Sequence, residues 1–305
     1  MNDIVSIFTF YRFVNIKNKF FFKKQLDLFL KEKCLKGTVL LAKEGINASL
    51  SGPENELEET IIFIKKHLNI RKINIKKSFF KYHPFNKLKV RLKKEIVSLG
   101  KGKLNINYTG KMVQPRHWNK LINNKEIKLI DTRNKYETDI GSFKTSLKPN
   151  VNSFRSIPKE LKKLNIDKND KIAMFCTGGI RCEKISAYMK MNGYKEIYQL
   201  EGGIINYLDF IKKTNHNSLW HGECFVFDDR VTVNKKNEKG SYLQFYGCRH
   251  PIKRADTKLK SYIKGVSCKY CYKKRNQTQK KRSISRQFQI DLDRRKGRTN
   301  IFIKK

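Results

Sequence analysis

Hydrophobic and polar positions along the first hundred residues follow two periods, which predicts strands that alternate with helices. In the segment after Pro53, Leu57, Ile61 and Ile64 recur at helical spacing, and several glutamates near its start favour the positive end of a helix. Short apolar or alternating runs predict strands. The predicted strands are Ile4–Phe13, Thr38–Ala42, Ile46–Leu50 and Ile73–Phe80, and a first helix covers Lys19–Cys34.

The resulting element order is β-α-β-β-α-β, which is the ferredoxin-like arrangement. Lys43-Glu44-Gly45 is the predicted hairpin turn, and Leu88–Leu99 is a further strand that leads out of the domain. A polar segment punctuated by glycines follows near residues 100–110 and marks a boundary. We therefore assign residues 1–108 to a ferredoxin-like (acylphosphatase-like) domain.

A second pattern occupies residues 122–215, where short apolar strands alternate with helices. Lys128–Ile130, Lys171–Phe175 and Ile197–Leu200 are predicted strands, and Cys182–Met191 is a helix that ends at Gly193. This alternation predicts a parallel sheet with helices on both faces. The fold class is therefore α/β, or α+β when the antiparallel first domain is included.

Residues 216–305 show a weaker pattern, with one strand-like run at Cys224–Val233. We assign them to a small region that contains cysteines and ends in a basic tail. The last thirty-odd residues have few apolar positions, so they are predicted to be nearly without a core and mobile.

The chain carries 68 Lys+Arg against 27 Asp+Glu among 305 residues, a formal charge of +41. Such a charge favours a polyanionic partner, and it is clustered: residues 65–94 hold twelve basic residues and no acid. Part of the surplus also fits compositional drift in an AT-rich genome. Aromatic residues in the same stretch are predicted either to stack on unpaired bases or to belong to the core; they are Phe79, Phe80, Tyr82 and Phe85.

No membrane-spanning helix is predicted, because no apolar run reaches the roughly 18 residues that such a helix needs. No cationic segment precedes the apolar start, so no export signal is expected and the predicted location is cytoplasmic. Seven cysteines in such a chain are better interpreted as thiols, metal ligands or reactive groups than as a disulfide framework.

The strongest chemical signal is the segment Cys176-Thr177-Gly178-Gly179-Ile180-Arg181, between a buried strand and a helix. Its glycines allow the backbone to curl, so that several N–H groups and the positive helix end face one point. A cysteine at that point ionises easily, and the thiolate is the reactive form. Arg181 is expected to close the ring around an anion. A buried structural thiol is the alternative.

Four residues separate Cys176 from Arg181, which makes the loop one residue shorter than the C-x5-R loop of cysteine phosphatases. A smaller ring suits a sulfur-sized group. The segment resembles the active-site loop of rhodaneses, and other segments resemble further markers of that fold, in the expected order. They are Asp131-Thr132-Arg133, Tyr136-Glu137, Gly141-Ser142-Phe143 and Glu201-Gly202-Gly203.

Flanking motifs narrow this resemblance to the rhodanese-domain tRNA uridine(34) hydroxylases. They are the segments 36–47 (KGTVLLAKEGIN), 91–97 (RLKKEIV), 225–231 (FVFDDRV) and 265–268 (GVSC). The resemblance runs from about residue 4 to residue 272. It implies oxygen-dependent 5-hydroxylation of the wobble uridine by an oxidoreductase, with Cys176 as the reactive cysteine and molecular oxygen as the co-substrate. It also implies a tRNA anticodon arm as partner; no organic cofactor and no protein partner are expected.

Two further cysteine sets leave alternatives open. Cys182 is either a resolving thiol for an oxidised Cys176 or a residue packed inward at the helix start. Cys248, Cys268 and Cys271 form C-x19-C-x2-C, where the family usually carries a fourth cysteine at the place of Phe245. A structural zinc is therefore uncertain, with Cys224 or His250 as candidate fourth ligands, and no metal ligand is assigned.

The histidines form no 2-His-1-carboxylate set, and His83 and His117 are predicted to be surface or boundary residues. Three functions remain at this point. The first is the RNA-modifying enzyme, to which the first domain would contribute an RNA contact. The second is a sulfurtransferase that carries sulfane sulfur as a Cys176 persulfide, and the third is a non-catalytic RNA-binding module.

Overall fold

The computed structural model describes residues 4–102 and 104–297 and confirms the predicted α/β class. The N-terminal domain contains one five-stranded sheet covered on one face by two helices. Its elements are β1 (Val5–Phe13), α1 (Lys19–Lys31), β2 (Lys36–Ala42), β3 (Gly45–Gly52), α2 (Glu54–Leu68), β4 (Ile75–Phe80) and β5 (Leu88–Leu92).

The strand order is β4-β1-β3-β2-β5, and its first four strands are antiparallel neighbours in the ferredoxin-like order. The prediction that Leu88–Leu99 leads out of the domain is wrong. The strand ends at Leu92 and pairs in parallel with β2, as the fifth strand of the same sheet. Leu88, Val90 and Leu92 pack on the core, and this alternation is what anchors the segment at the sheet edge.

The two faces of this sheet differ in character, because successive side chains of a strand point to opposite sides. Phe8 and Phe10 of β1 contact the apolar faces of α1 and α2, which contribute Leu26 and Ile61 to the same core. The opposite face is mostly polar. Its residues at the centre of the sheet are Thr9 and Tyr11 of β1, Ser49 of β3, and Lys76 and Ser78 of β4.

The second domain contains a four-stranded parallel sheet with core clusters on both faces. The strand order is β6-β10-β9-β7, and β6 lies ahead of the predicted start at residue 122. The helix after β9 begins two residues earlier than predicted. The elements are β6 (Lys111–Val113), α3 (Pro115–Ile122), β7 (Ile127–Asp131), α4 (Lys135–Thr138), β8 (Gly141–Phe143), α5 (Ile157–Leu161), β9 (Lys171–Phe175), α6 (Ile180–Met191), β10 (Glu196–Leu200) and α7 (Gly203–Thr214).

The C-terminal region consists of short hairpins and one long helix. The strand-like run at Cys224–Val233 is two short strands that pair with each other around a turn. β11 (Trp220–Gly222) pairs with β8 of the second domain. The other elements are β12 (Cys224–Phe225), β13 (Thr232–Val233), β14 (Leu243–Gln244), β15 (Pro251–Ile252) and α8 (Gln277–Arg295).

Helix α8 differs from the mobile tail predicted from composition. Asn276 and Gln279 form a capping box at its start, which satisfies backbone N–H groups of the first turn. Ser283 and Ile290 are buried, and Arg275 donates to the carbonyl oxygen of Val266 and to Ser283 Oγ at 2.8 and 2.7 Å. Residues 298–305 of the predicted tail lie outside the described residues. None of the described helices has the length and apolarity needed to span a bilayer.

A buried lysine joins the first two domains. Lys184 of α6 is 1% exposed, and its ammonium donates to both carboxylate oxygens of Glu44, at 2.7 and 2.8 Å, and to Glu95 Oε2 at 2.5 Å. It also donates to the carbonyl oxygen of Val97 at 2.9 Å. Glu44 lies in the β2–β3 turn and Glu95 in the segment after β5. This one cation therefore fixes the second domain against two parts of the first.

Candidate active site

The loop between β9 and α6 holds the sulfur of Cys176 inside a set of amide groups. Cys176 follows the last residue of β9 and is fully buried. Its Sγ accepts the backbone N–H of Gly179 at 3.0 Å and also the backbone N–H of Cys182. Gly179 has φ of +100°, a conformation that favours glycine and turns the chain into the helix. The predicted amide cradle is therefore present.

Glycine is also required where the segment Glu201-Gly202-Gly203 meets the loop. A Cβ atom on Gly203 would lie 2.4 Å from the carbonyl oxygen of Cys176, closer than atoms can approach. The N–H of Ile204 donates to that same oxygen at 2.9 Å. The start of α7 therefore packs directly against the loop and contacts it at the carbonyl oxygen of Cys176.

The pKa values of the two neighbouring thiols, Cys176 and Cys182, are shifted in opposite directions. Burial opposes ionisation of Cys176, but hydrogen bonds from Cys182, the charge of Arg181 and two amide hydrogen bonds together hold its pKa well below the ordinary value. Burial and the adjacent sulfur of Cys176 raise the pKa of Cys182 well above the ordinary value. Cys182 is therefore a protonated donor to a Cys176 thiolate. It is also packed inward, as the alternative predicted, with Thr132 Oγ1 at 3.4 Å from its Sγ.

Arg181, which was predicted to close the ring around an anion, binds a carboxylate of the protein itself. Its guanidinium binds the carboxylate of Glu137 through two hydrogen bonds, at 2.6 and 2.8 Å, and also contacts Thr177 Oγ1 at 3.2 Å. Glu137 is completely buried, and although burial opposes its ionisation, the charge of Arg181 keeps its pKa below the ordinary value. Arg181 thus anchors the loop to α4, and it acts on Cys176 only through its field.

A second buried ion pair lies beneath the loop. Arg133 donates to the two oxygens of Asp131 at 2.9 and 2.7 Å, and neither side chain is exposed. Ser142 Oγ donates to Asp131 Oδ2 at 2.7 Å, and Thr132 Oγ1 donates to the carbonyl oxygen of Phe175 at 3.0 Å. The segments 131–133 and 141–143, noted in the sequence, therefore hold β7 and β8 against the end of β9.

The polar face of the N-terminal sheet contributes two residues that the sequence did not identify. The ammonium of Lys76 donates to the carbonyl oxygen of Gly178, and burial lowers the pKa of Lys76 to about 8. The hydroxyl of Tyr11 donates to Oε2 of Glu183 at 2.9 Å, and Glu183 is the residue that follows Cys182. Alternation along β1 and β4 places both residues away from the core, but nothing in the sequence indicates that this face meets the Cys176 loop.

The first cleft opens beside this loop, between all three parts of the chain. Thr177, Gly178 and Ile205 come from the second domain, and Val226, Phe227, Asp228, Arg230 and Asn237 come from the C-terminal region. The N-terminal domain contributes Thr9, Ser49, Lys76, Lys77, Ser78 and Phe85. Cys176 itself is buried, and the two residues that follow it, Thr177 and Gly178, line this cleft.

The aromatic residues of the stretch 65–94 do not belong to the core. Phe79 and Tyr82 are 58% and 41% exposed, and Phe80 packs edge-on against Tyr82. Phe85 lines the first cleft. Within the part of the chain that the structure describes, none of these rings is in the buried N-terminal cluster, so the interpretation as core is wrong. His117 is exposed as predicted, and His83 is half-buried with Nδ1 3.0 Å from Ser51 Oγ.

Three cysteines of the C-terminal region form a compact thiol cluster. The sulfur atoms of Cys248, Cys268 and Cys271 all lie within 4.8 Å of one another, and the buried ring of Phe245 packs beside them. Three thiolates supply three positions of a tetrahedral zinc site and leave the fourth to an outside ligand. Neither candidate fourth ligand joins them among the described residues. Cys224 is buried in a core of the second domain, and the ring of His250 stacks on Tyr270.

The lowered pKa of Cys176 gives a testable pH dependence. Between pH 9 and pH 7 the rate of alkylation of Cys176 by iodoacetamide is expected to fall less steeply than that of free N-acetylcysteine, because the lowered pKa keeps more of Cys176 as the thiolate. The rate for free N-acetylcysteine falls about tenfold per pH unit below its pKa of roughly 8.5. Mass spectrometry of tryptic peptides measures the two cysteines separately, since trypsin cleaves after Arg181. A Cys176 rate that falls in parallel with N-acetylcysteine would contradict the amide cradle.

The contribution of Cys182 to this ionisation is tested by two substitutions at one position. Cys182→Ala removes the side-chain donor to the Cys176 sulfur, so the midpoint of the alkylation profile is expected to move to higher pH. Cys182→Ser keeps a hydroxyl donor and is expected to stay near the wild-type midpoint. Equal profiles for all three proteins would remove Cys182 as a donor.

Comparison with known proteins covers all three parts of the chain. The profile of the UPF0176 acylphosphatase like domain matches residues 5–96, and that of the Rhodanese-like domain matches residues 114–209. A protein from Pelagibacter ubique (strain HTCC1062), the tRNA uridine(34) hydroxylase, is 45% identical over 302 residues, which is 98% of this chain and 98% of that protein.

Two solved structures that resemble part of the chain are described as a rhodanese-related protein and a rhodanese-like domain protein. A rhodanese-related protein from Thermoplasma volcanium is 20% identical and covers 33% of this chain and 92% of its own, with a TM-score of 0.28. A rhodanese-like domain protein from Staphylococcus aureus is 26% identical and covers 32% of this chain and 90% of its own, with a TM-score of 0.27.

Proposed function

The chain belongs to the tRNA uridine(34) hydroxylase family, and from this membership we propose that it hydroxylates C5 of the wobble uridine of tRNA. The observation that carries the proposal is identity of 45% along nearly the full length of both proteins. All three parts that close around the first cleft are therefore shared, rather than the Cys176 loop alone. The class of reaction is an oxygen-dependent oxidation, and the substrate is the anticodon arm of tRNA.

Within this proposal Cys176 is the reactive residue. Its sulfur is held as a thiolate by the amide groups of Gly179 and Cys182 at the end of β9. The loop residues 177–181 shape the cradle, and Arg181 keeps it in place through Glu137. The target uracil would enter the first cleft, where Thr177 and Gly178 separate the cleft from the sulfur.

Molecular oxygen is the proposed source of the new hydroxyl group. One oxygen atom enters the C5–H bond, and reduction of the other to water takes two electrons and two protons. Oxidation of the Cys176 thiolate and the Cys182 thiol to a disulfide supplies two electrons and one proton, and solvent supplies the second proton; Cys182 is in hydrogen-bond contact with Cys176. Cys182 is thereby the proposed resolving thiol, and two external thiols would return the pair to its reduced state and leave as their own disulfide.

Nucleoside mass spectrometry tests the function. The tRNA of cells that lack the protein is expected to lose 5-hydroxyuridine and its derivatives at position 34, and a wild-type copy is expected to restore them. Pseudouridine in the same digests serves as the control for RNA recovery. Unchanged 5-hydroxyuridine in the deletion strain, together with turnover of thiosulfate by the purified protein without RNA, would instead favour a sulfurtransferase.

Isotope labelling tests the source of oxygen. Growth of the complemented strain under 18O2 is expected to raise the mass of the restored 5-hydroxyuridine by 2 Da. Growth in H218O under ordinary oxygen is expected to leave the mass of the C5 hydroxyl unchanged. The reverse pattern would identify water as the source and would remove dioxygen from the proposal.

A further inference from the structure

A second, larger cleft adjoins the first and connects the Cys176 loop with the C-terminal thiol cluster. The two clefts share Phe85, Phe227 and Asp228, so they form one continuous depression. The second cleft runs from the edge of the N-terminal sheet to Cys248 and His250. The contacts that hold the Cys176 loop in place do not depend on this second cleft.

The second cleft is strongly cationic. Lys87 and Lys89, at the β5 edge of the sheet, line one wall, and Arg249 and Lys274 line the other; all four side chains are exposed. Two carboxylates, Asp228 and Asp229, also line it. The guanidinium of Arg230 already binds Asp228, with Nε and a terminal nitrogen at 2.9 and 2.6 Å from its oxygens. The balance of charge therefore favours a polyanion between the two walls.

The junction of the two clefts carries an exposed aromatic ring in a fixed orientation. Phe227 is 66% exposed, and its ring packs edge-on against buried Phe225 with centroids 5.1 Å apart. The guanidinium of Arg181 lies 6.0 Å from the Phe227 centroid, which places the ring close to the Cys176 loop. Tyr246, 52% exposed, lies farther along the second cleft.

A cleft that has cations on two sides and exposed aromatic rings between them has the features that bind a single strand of nucleic acid. Lysine and arginine contact phosphates, while aromatic rings stack on bases that are unpaired. A base inside a duplex has no free face for such stacking. An acidic protein segment would use the cations equally well, but it has no need of a ring exposed beside the reactive loop.

Resting on the proposed function, we propose that the second cleft holds the single-stranded loop of the tRNA anticodon arm and that Phe227 stacks on a base at the mouth of the first cleft. Lys87, Lys89, Arg249 and Lys274 contact the phosphates on either side of that base. The base beyond Phe227 then enters the first cleft. This geometry selects a loop nucleotide over a paired one.

Fluorescence anisotropy with the full-length protein tests the surface. The probes are a labelled 17-nucleotide anticodon hairpin with uridine at position 34 and a labelled, blunt-ended RNA duplex of about the same size. Phe227→Ala is expected to weaken hairpin binding about 5- to 150-fold, as loss of one base stack does, and to leave duplex binding unchanged. Phe227→Trp is expected to bind the hairpin as tightly as wild type.

A matched pair of charge variants tests the walls. Lys87→Gln/Lys89→Gln is expected to lower the slope of log affinity against log salt by roughly 1.5 for the hairpin. The control Lys24→Gln/Lys31→Gln removes the same charge from exposed positions of α1, on the opposite side of the sheet, and is expected to leave the slope unchanged. Equal effects of the two double variants, or a Phe227→Ala effect that is the same for hairpin and duplex, would overturn the inference.

Failure of this inference is distinguishable from failure of the proposed function. If the wild-type copy does not restore 5-hydroxyuridine in the deletion strain, the function is wrong whatever the binding shows. If it does restore the nucleoside but Phe227→Ala binds the hairpin as wild type does, only the binding surface is wrong. Because Phe227 is exposed, the urea midpoint of the variant is expected to match wild type and serves as the folding control.

Discussion

Replacement of Cys176 by alanine is expected to abolish 5-hydroxyuridine at position 34 of tRNA in a complemented deletion strain. The neighbouring Cys182 does not replace it as the thiolate, because burial and the sulfur of Cys176 raise the pKa of Cys182 well above the ordinary value. The expected loss is complete, to the level of the deletion strain, rather than partial. Nucleoside mass spectrometry of bulk tRNA measures it.

The matched control is Cys224→Ala, at another fully buried cysteine. Burial raises the pKa of Cys224 to about 12, so it is an unreactive packing residue, and its loss is expected to leave the modification near the wild-type level. Protein abundance in the two strains must be equal for the comparison. Full restoration by the Cys176→Ala copy would remove Cys176 from the reaction while leaving family membership unaffected.

Lys184→Met is expected to destabilise the protein by about 3 kcal/mol. Removing one partner of a buried ion pair leaves an uncompensated charge and typically costs about 3–5 kcal/mol. The lower end applies because Glu44 and Glu95 keep 26% and 18% of their side-chain exposure and can take up water. The urea unfolding midpoint measures the loss, and faster trypsin cleavage after Lys101 reports the separation of the two domains.

Two comparisons separate the role of this cation from a general effect of losing a lysine. Lys213→Met removes an exposed ion pair with Asp209 and is expected to cost less than about 0.5 kcal/mol. Adding Glu44→Gln to Lys184→Met removes one of the stranded carboxylates and is expected to recover part of the stability. Additive losses in the double variant would contradict a direct interaction between Lys184 and Glu44.

Several contacts join the N-terminal domain to the second domain beside the Cys176 loop, and two of them come from the polar face of the N-terminal sheet. Lys184 fixes the two domains, Lys76 contacts the carbonyl of Gly178, and Tyr11 contacts the first turn of α6. The N-terminal domain is therefore a wall of the active site as well as a basic surface. The C-terminal region completes the opposite wall with Phe227 and Arg230.

The sequence by itself determined the features that depend on neighbouring residues. Periodicity predicted the strands and helices of the N-terminal domain and β7, β9, β10 and α6 of the second domain, because a side chain's face follows from its position within one element. It did not predict β6, β8, α3, α4, α5 or α7 of the second domain. The segment 176–181 likewise predicted the amide cradle, since a loop between a strand and a helix is built from a few consecutive residues. The resemblance of the flanking motifs then indicated the family.

Only the tertiary structure decided which distant groups meet. Arg181 was predicted to close the loop around an anion, and the anion that it binds in the structure is the carboxylate of Glu137, 44 residues away. Lys184 and Glu44 are 140 residues apart, and Tyr11 and Glu183 are 172 apart. A local pattern shows which way a side chain points within its own element and cannot show what another domain places opposite it. Burying a charge requires a partner, and the identity of that partner is set by how the domains pack.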